Sequence, residues 1–452
     1  MRRLAILAMS ILSACAPLQQ DTPPGRAVTL DQSLPPMRSF AQTDVPQSTR
    51  PNADIAQDFL DLTFQMESGR AIPEMTRFDG PVSVRVTGDV PPTLVPDLRL
   101  LIDRLRLEAG IDIFLTGAPE ASITIQGISR TDLQAAAPNA ACFVVPRVSS
   151  WDAFKQVRRT PQVDWTTLTR RDTAAIFIPA DTAPQEIRDC LHEELAQALG
   201  PLNDLYRLPD SVFNDDNIHA VLTGFDMLIL RAYYAPELAN GMRRGEVAVR
   251  LPALLARLNP GGAAAAPTPL SDTSRDWIDA IELALSGQAP AARRRDAAEQ
   301  AIGLVRAFGW TGPRRGFAFY AYGRLLVGHD PDLAFAAFTE AYQTYRSSPD
   351  TRLHAATVAV QLAAFSLSAG DAATTLELAD FGIPIATTYE NAALLATLMM
   401  FKSEALAMEG RGPQAAALRL DSLAWARYGF GSDRNVRARL REIADLNPLN
   451  QG

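Results

Sequence analysis

A glutamate set inside the apolar stripe of a well-bounded helix is the strongest constraint this chain places on its own fold. Ile187, Leu191, Leu195, Ala198 and Leu199 recur at helical spacing, and Gly200-Pro201 closes the run. Thr182 with Gln185 reads as a capping box at its start. At about 100° per residue, Glu194 falls between Ile187, Cys190, Leu191 and Ala198, while Glu193 and Gln197 share the edge of the stripe at i, i+4. A carboxylate on the buried side of a helix has to be answered by a hydrogen-bonded network, a raised pKa, a metal or a catalytic role. The spacing leaves all four open.

The rest of the chain supplies the material to bury that helix. Its 452 residues, 47% hydrophobic and 21% charged, suffice for two or three domains with their own cores. A net charge of −8, with Lys155 and Lys402 as the only lysines, provides no basic patch and argues against a nucleic-acid partner. At the start, Arg2-Arg3, the apolar Leu4 to Leu12 and then Leu12-Ser13-Ala14-Cys15 have the three parts of an export signal, too short for a permanent membrane span. Leu-Ser-Ala-Cys resembles the bacterial lipobox. That resemblance implies cleavage before Cys15, acylation of Cys15 (palmitate) and, with Ala16 rather than Asp next, an outer-membrane lipoprotein facing the periplasm. Residues 1–14 are thus expected to be a signal peptide. Residues 15–51, with seven prolines amid Gln, Thr and Ser, are expected to be the acylated cysteine and a flexible linker.

Periodicity predicts a helix over Ala53 to Met66, a strand at Val82 to Val86, a helix from Leu94 to Glu108, and strands at Ile111 to Leu115 and Ala121 to Ile128, a βαβ-like opening. Strands at Cys142 to Pro146 and Ala174 to Pro179 then lead into the Thr182 to Leu199 helix. Thr223 with Asp226 caps a further helix through Tyr234, with Leu222 placed to staple against Met227. Residues 52–259 form one α+β domain, 260–271 a linker rich in Gly, Ala and Pro, and 272–452 an all-α domain. In the last, glycines recur at Gly328, Gly370 and Gly410, each followed by an Ala/Leu/Phe-rich helix and then Tyr345, Tyr389 or Tyr428. This predicts stacked helical hairpins. The stretch around Gly323 and Ala334 resembles a tetratricopeptide repeat.

The helix and turn carry two further resemblances. Glu193-Glu194-x-x-Gln197-x-x-Gly200-x-x-Asn203-Asp204, followed by Ser211-Val212-Phe213-Asn214-Asp215, resembles a proteobacterial lipoprotein family known only as a domain of unknown function. Beneath it, the frame resembles the H-E-x-x-H-x-x-G-x-x-H of metzincin zinc peptidases. Glu194 stands at the general-base position, Glu193, Gln197 and Asn203 or Asp204 at the three histidine positions, and Phe213 where the methionine of the following turn would be. The fold class implied is α+β, a degenerate metzincin-like domain followed by a domain of helical-hairpin repeats. Glu194 would be the catalytic residue and Glu193, Gln197, Asn203 and Asp204 the metal ligands.

Oxygen donors suit Ca²⁺, Mg²⁺ or Mn²⁺ better than Zn²⁺, so the ligand chemistry disfavours a zinc peptidase. The expected role is a non-catalytic binding or scaffold protein with no cofactor, its protein partner on the helical domain and the membrane reached through the N-terminal lipid. The alternative is a metal-dependent hydrolase with Glu194 as general base and a divalent cation held by oxygens. A third reading of the same side chains is a buried hydrogen-bonded network. Cys142 and Cys190 are expected to form a disulfide in an oxidising compartment, closing a loop that is worth up to about 4 kcal/mol. His192 opens an apparent H-E-x-x-H, but its i+4 residue is Ala196, and it is expected at the surface. His219 is expected to be a solvated loop histidine, and Asp210, Asn214, Asp215, Asp216 and Asn217 to be turn formers without a calcium-loop pattern. Mass spectrometry of the mature N-terminus checks the anchor: it should begin at an acylated Cys15, and Cys15→Ala should release the protein or stop processing. An unmodified N-terminus, or a different first residue, contradicts the lipobox reading.

Overall fold

The run Ala174–Pro179 is apolar at every position, a pattern a strand tolerates only when both faces of its sheet are covered. The computed structural model, which describes residues 34–41, 48, 50–138, 140–263, 265–268 and 271–450, covers both. The signal peptide, Cys15 and most of the linker lie outside the described residues. In chain order the first lobe comprises α1 (Asn52–Phe64), β1 (Val82–Gly88), α2 (Leu94–Glu108), β2 (Ile113–Leu115), β3 (Ile123–Ile128), α3 (Arg130–Ala136), β4 (Phe143–Pro146), α4 (Trp151–Val157), β5 (Ala174–Pro179), α5 (Pro184–Leu199), α6 (Gly224–Tyr233) and α7 (Arg244–Leu258). The sheet order is β2-β1-β3-β5-β4, parallel throughout except for β4, which runs antiparallel on β5. The βαβ opening is therefore present, with α2 as the crossover between β1 and β2.

Period-two alternation divides β5 between two cores. Ala174, Ile176 and Ile178 join the main core with Val82, Val84, Ile123 and the apolar residues of α2, α5, α6 and α7. Ala175 and Phe177 face the opposite way, into a smaller cluster with Trp151 and Phe154 of α4 and Leu133 of α3. The strand is interior on both counts, and no residue of it is exposed.

The helix α5 lies against β4 and β5, with α2 and the later α15 (Gly412–Phe430) also packed on it. Enclosure on several sides corrects two expectations drawn from a one-sided stripe. His192 is 2% exposed, not at the surface, and its Nδ1 accepts from the amide of Leu222 at 3.1 Å. Thr182 and Gln185 form no capping box: the N-cap is Ala183 without a side-chain bond, Thr182 donates to Glu186, and Gln185 accepts from the amide of Ala392. The far end is capped by a residue no motif flagged. Buried Arg171 donates to the carbonyls of Gln197, Ala198 and Gly200, at 2.6 and 2.7 Å for the first two, and stacks 4.9 Å over Trp165. A cation on the last carbonyls satisfies groups the helix itself cannot.

The remaining helices are α8 (Arg275–Leu285), α9 (Ala291–Ala307), α10 (Pro313–Leu326), α11 (Pro331–Arg346), α12 (Arg352–Ser368), α13 (Ala372–Thr388), α14 (Ala392–Met408), α15 and α16 (Asp433–Ala444). α10 with α11, α12 with α13 and α14 with α15 pack as successive hairpins. Gly370 and Gly410 close turns in the left-handed region, at φ 77° and 75°. Gly323 permits close approach instead, since a Cβ there would stand 2.8 Å from the Phe338 ring. Residues 35–452 form one compact unit. Tyr428 donates to Asp97 at 2.7 Å, buried Arg188 pairs with Glu390, and His354 meets Asp216 at 2.8 Å across the two lobes. Between them Asn259 is buried, bonded to Asn52, at the head of what the sequence presents as a free linker.

Replacing Arg171 with Ala leaves several buried carbonyls without a donor. Denaturant unfolding should show a loss of about 3 kcal/mol or more, with Arg171→Lys recovering part of it because an ammonium reaches fewer of the carbonyls. An unchanged midpoint for Arg171→Ala contradicts this account of the cap.

Candidate functional site: an acid-lined cavity

The last two turns of α5 bring Glu193, Glu194 and Gln197 to a cavity of ≈ 480 Å³. The turn after α1 contributes Glu67, the segment after α5 contributes Asp204, and the turn before α6 contributes Asp215. Phe143 and Val144 of β4, Trp165 and Leu202 form apolar walls, and among the described residues no Lys, Arg or His lines it. Four of the five site residues expected from sequence thus meet: Glu194, Glu193, Gln197 and Asp204. Asn203 does not line this cavity. Its side-chain amide donates 3.0 Å to the carbonyl of Asp61, pinning the chain to α1. Glu67 escaped sequence reading because it belongs to a short turn with no periodicity. Asp215 carries in sequence only the signal of a turn former.

The disulfide is present. Cys142 and Cys190 are joined at 2.02 Å with their Cα atoms 5.9 Å apart. Cys142 itself lines the cavity, so the bridge fastens the rim beside β4 to α5 one turn before Glu193.

Burial and mutual repulsion set the electrostatics. Burial first, then the charges of Glu67 and Asp215, raise the Glu193 carboxyl to about 7. Glu194, 4% exposed, is pushed well above the usual carboxylate range by burial and then by Glu193 and Glu67. The Val144 amide opposes that shift, while Oε2 has no hydrogen-bond partner. Asp204 is likewise raised by burial and by the same neighbours, and it donates a proton toward the Glu67 carboxylate at the solvent-exposed rim. One oxygen of Asp204 is also buried without a partner. Asp215 is raised mainly by burial, with the Tyr206 hydroxyl acting against it.

The two histidines of the region are elsewhere. His219 is buried, not solvated: its Nε2 lies 2.8 Å from the carbonyl of Pro209 and its ring packs on Tyr389 and His354 of the helical lobe. The sequence around His219 carries no sign of that lobe. Phe213 is fully buried in the main core.

The zinc implied by the metzincin frame does not fit these residues. Among the described residues no three His, Cys, Asp or Glu side chains are grouped to hold a metal ion, and Asn203, at the third histidine position, is bonded to α1. What the arrangement offers is a partly desolvated set of carboxyls that cannot all be ionised together.

Residues 52–253 match the family described as Protein of unknown function (DUF2927). No curated protein matches the chain. The matched span contains the sheet, α5 and every acidic residue of the cavity.

The pH dependence of stability follows in sign from these shifts. Glu193, Asp226 (raised to about 7, chiefly by burial) and Asp189 (raised to about 8, chiefly by burial) all bind protons more tightly folded than at their ordinary values of 4.5, 3.8 and 3.8. Their contribution is complete below those ordinary values and is lost as pH rises through the folded ones. Buried His219, lowered to about 4, and His192, lowered well below its ordinary 6.5, act in the opposite sense up to about pH 6.5, so melting temperature in buffer free of divalent cations should fall between about pH 6.5 and pH 8. Glu193→Gln should flatten part of that fall. A melting temperature that rises over this interval contradicts the reading.

Proposed function

We propose that the chain is a non-catalytic binding protein of the bacterial cell envelope, tethered through Cys15, whose acid-lined cavity takes a cationic group of its ligand. The observation that carries this reading is the cavity itself: Glu67, Glu193, Glu194, Asp204 and Asp215 converge on it with no Lys, Arg or His in its lining among the described residues. A bound ammonium or guanidinium would relieve the repulsion and give the unpartnered oxygens of Glu194 and Asp204 a donor. Trp165 and Phe143 add the aromatic surface against which an alkyl stem or cation packs. The degenerate zincin frame is the scaffold for this site, and the helical hairpins of residues 272–452, similar to tetratricopeptide repeats, supply the surface for a protein partner.

A second reading, a hydrolase with Glu194 as general base and an oxygen-bound divalent cation, is favoured by Glu194 lining the cavity with its buried Oε2 unpartnered. Against it, burial and then the charges of Glu193 and Glu67 favour the protonated form of Glu194, which serves poorly as a base. The purely structural network is disfavoured by those same unpartnered oxygens.

Calorimetric titration of the full mature chain with cadaverine, a simple diamine, tests the proposal. Binding should strengthen from about pH 6 to pH 8 as the carboxyls ionise, and Glu193→Gln with Glu194→Gln should weaken it about tenfold or more. Elemental analysis of the native protein should find no stoichiometric metal. One tightly held metal ion per chain, lost on Glu193→Ala, would overturn the proposal in favour of the hydrolase. In the binding reading Glu194→Gln alone alters stability by about 1 to 3 kcal/mol and has no turnover to abolish.

A further inference from the structure

A second cavity, ≈ 590 Å³, lies in the helical lobe and has the opposite character. Arg294, Arg324 and Arg439 line it, with Phe317, Tyr320 and Phe430 between them. These arginines are poorly neutralised. Arg294 donates Nε to the carbonyl of Ala284 at 2.9 Å, and Arg324 sits 5.7 Å over the Tyr320 ring; neither has a carboxylate in ion-pair contact among the described residues. Arg439 pairs at 2.9 Å with exposed Glu442, yet its Nε is buried with no partner. Planar guanidinium groups spaced by aromatic rings in a concave site are suited to a carboxylate.

The two cavities adjoin. Asp215 and Asn217 line both, so the turn before α6 is a wall shared by an acidic chamber and a basic one. Of the acids on this wall, Asp216 is engaged by His354 and by the Asn214 amide, each at 2.8 Å, and Asp215 by Tyr206. Neither acid is in ion-pair contact with Arg294, Arg324 or Arg439 among the described residues. The turn is itself fastened to both lobes, through Ser211 to Asp226 and through Asp216 to His354.

We infer that the two chambers take a single elongated, dipolar ligand, an oligopeptide whose ammonium group enters the acidic cavity and whose carboxylate reaches the arginine cavity across the Asp215–Asn217 turn. This rests on the cation-binding reading of the acidic cavity and adds to it the second anchor, the ligand class and the direction in which the ligand lies. Two oppositely charged anchors on one rigid wall select for separation as well as for charge, because the second contact forms within an already bound complex.

The test uses the full mature chain and a ladder of lysine-oligoalanine peptides of increasing length. Each is made with a free C-terminal carboxylate, as the C-terminal amide, and with both amines acetylated. One length should bind best, and there the free acid should exceed its amide by about tenfold, the scale of a charge-assisted contact. Arg324→Gln with Arg439→Gln should erase that preference while leaving the amide's affinity unchanged. Arg324 is exposed and has no ion pair, so its single variant retains the fold, which the melting temperature checks, and should lower the preference on its own. Equal binding of acid and amide at every length overturns the dipolar ligand and leaves the acidic cavity standing. Binding unaffected by acetylation overturns the acidic-cavity reading itself, and no binding by any member overturns both.

Discussion

Because α5 is covered on several sides, nearly every polar group it carries has to be answered by another part of the chain. Arg171 takes the carbonyls at its C-terminal end. Arg188 is met by Glu390 and Gln185 by the start of α14, both from the helical lobe. His192 accepts from the amide just before α6. Unpaired, each of these groups would cost on the order of 1 to 3 kcal/mol or more, so the helix holds together segments that the sequence separates widely. Glu193 and Glu194 are answered least: they line a cavity to which no Lys, Arg or His among the described residues contributes, although Arg188 too keeps one buried nitrogen, Nη1, without a partner.

The helical lobe then has a part in the site although, among the described residues, none of it lines the acidic chamber. The turn before α6 is pinned from the first lobe by Asp226, which accepts from Ser211, Val212 and Thr223, and from the second by His354 on Asp216. Asp215, which lines both chambers, lies between these two fastenings. A displacement of α12 relative to the sheet would therefore act on the geometry of the acidic cavity through one short segment. Tyr206 ties in a third way: its ring packs edge-on against Trp277 of α8 at 5.1 Å, and its hydroxyl bonds Asp215.

Much of the first lobe was legible because its elements bury one face at a fixed period. The strand Ala174–Pro179, the helix Leu94–Glu108 and the Thr223–Asp226 capping box all stand where their patterns put them. The α+β class and the helical second part follow from the same periodicity, whereas the Cys142–Cys190 disulfide follows from cysteine count and an oxidising compartment. What failed depended on contacts between distant segments. Thr182 and Gln185 have a capping-box pattern, but a neighbouring lobe offered Gln185 a better partner. His192 and His219 were placed in solvent because a helical wheel has no knowledge of a second layer. Arg171 and Glu67 sit in short connecting segments, where no period marks a residue as special, and only the path of the chain brings them to either end of the site.

Five acidic groups around one desolvated space can coexist only if most are protonated or if something positive is present. Burial and mutual repulsion favour the first course: Glu193 is raised to about 7, and Glu194 and Asp204 are pushed well above the usual carboxylate range. Protonation removes the repulsion but leaves oxygens of Glu194 and Asp204 without hydrogen bonds, so the neutral cavity is still imperfectly satisfied. A cationic group supplies donors and charge together, and in entering it lowers the carboxyl pKa values and drives protons out. Binding and deprotonation are then the same event seen from two sides, and the affinity of the cavity depends on how many protons the ligand must displace. A cluster of this kind responds to pH through its ligand more steeply than any one of its carboxyls would alone.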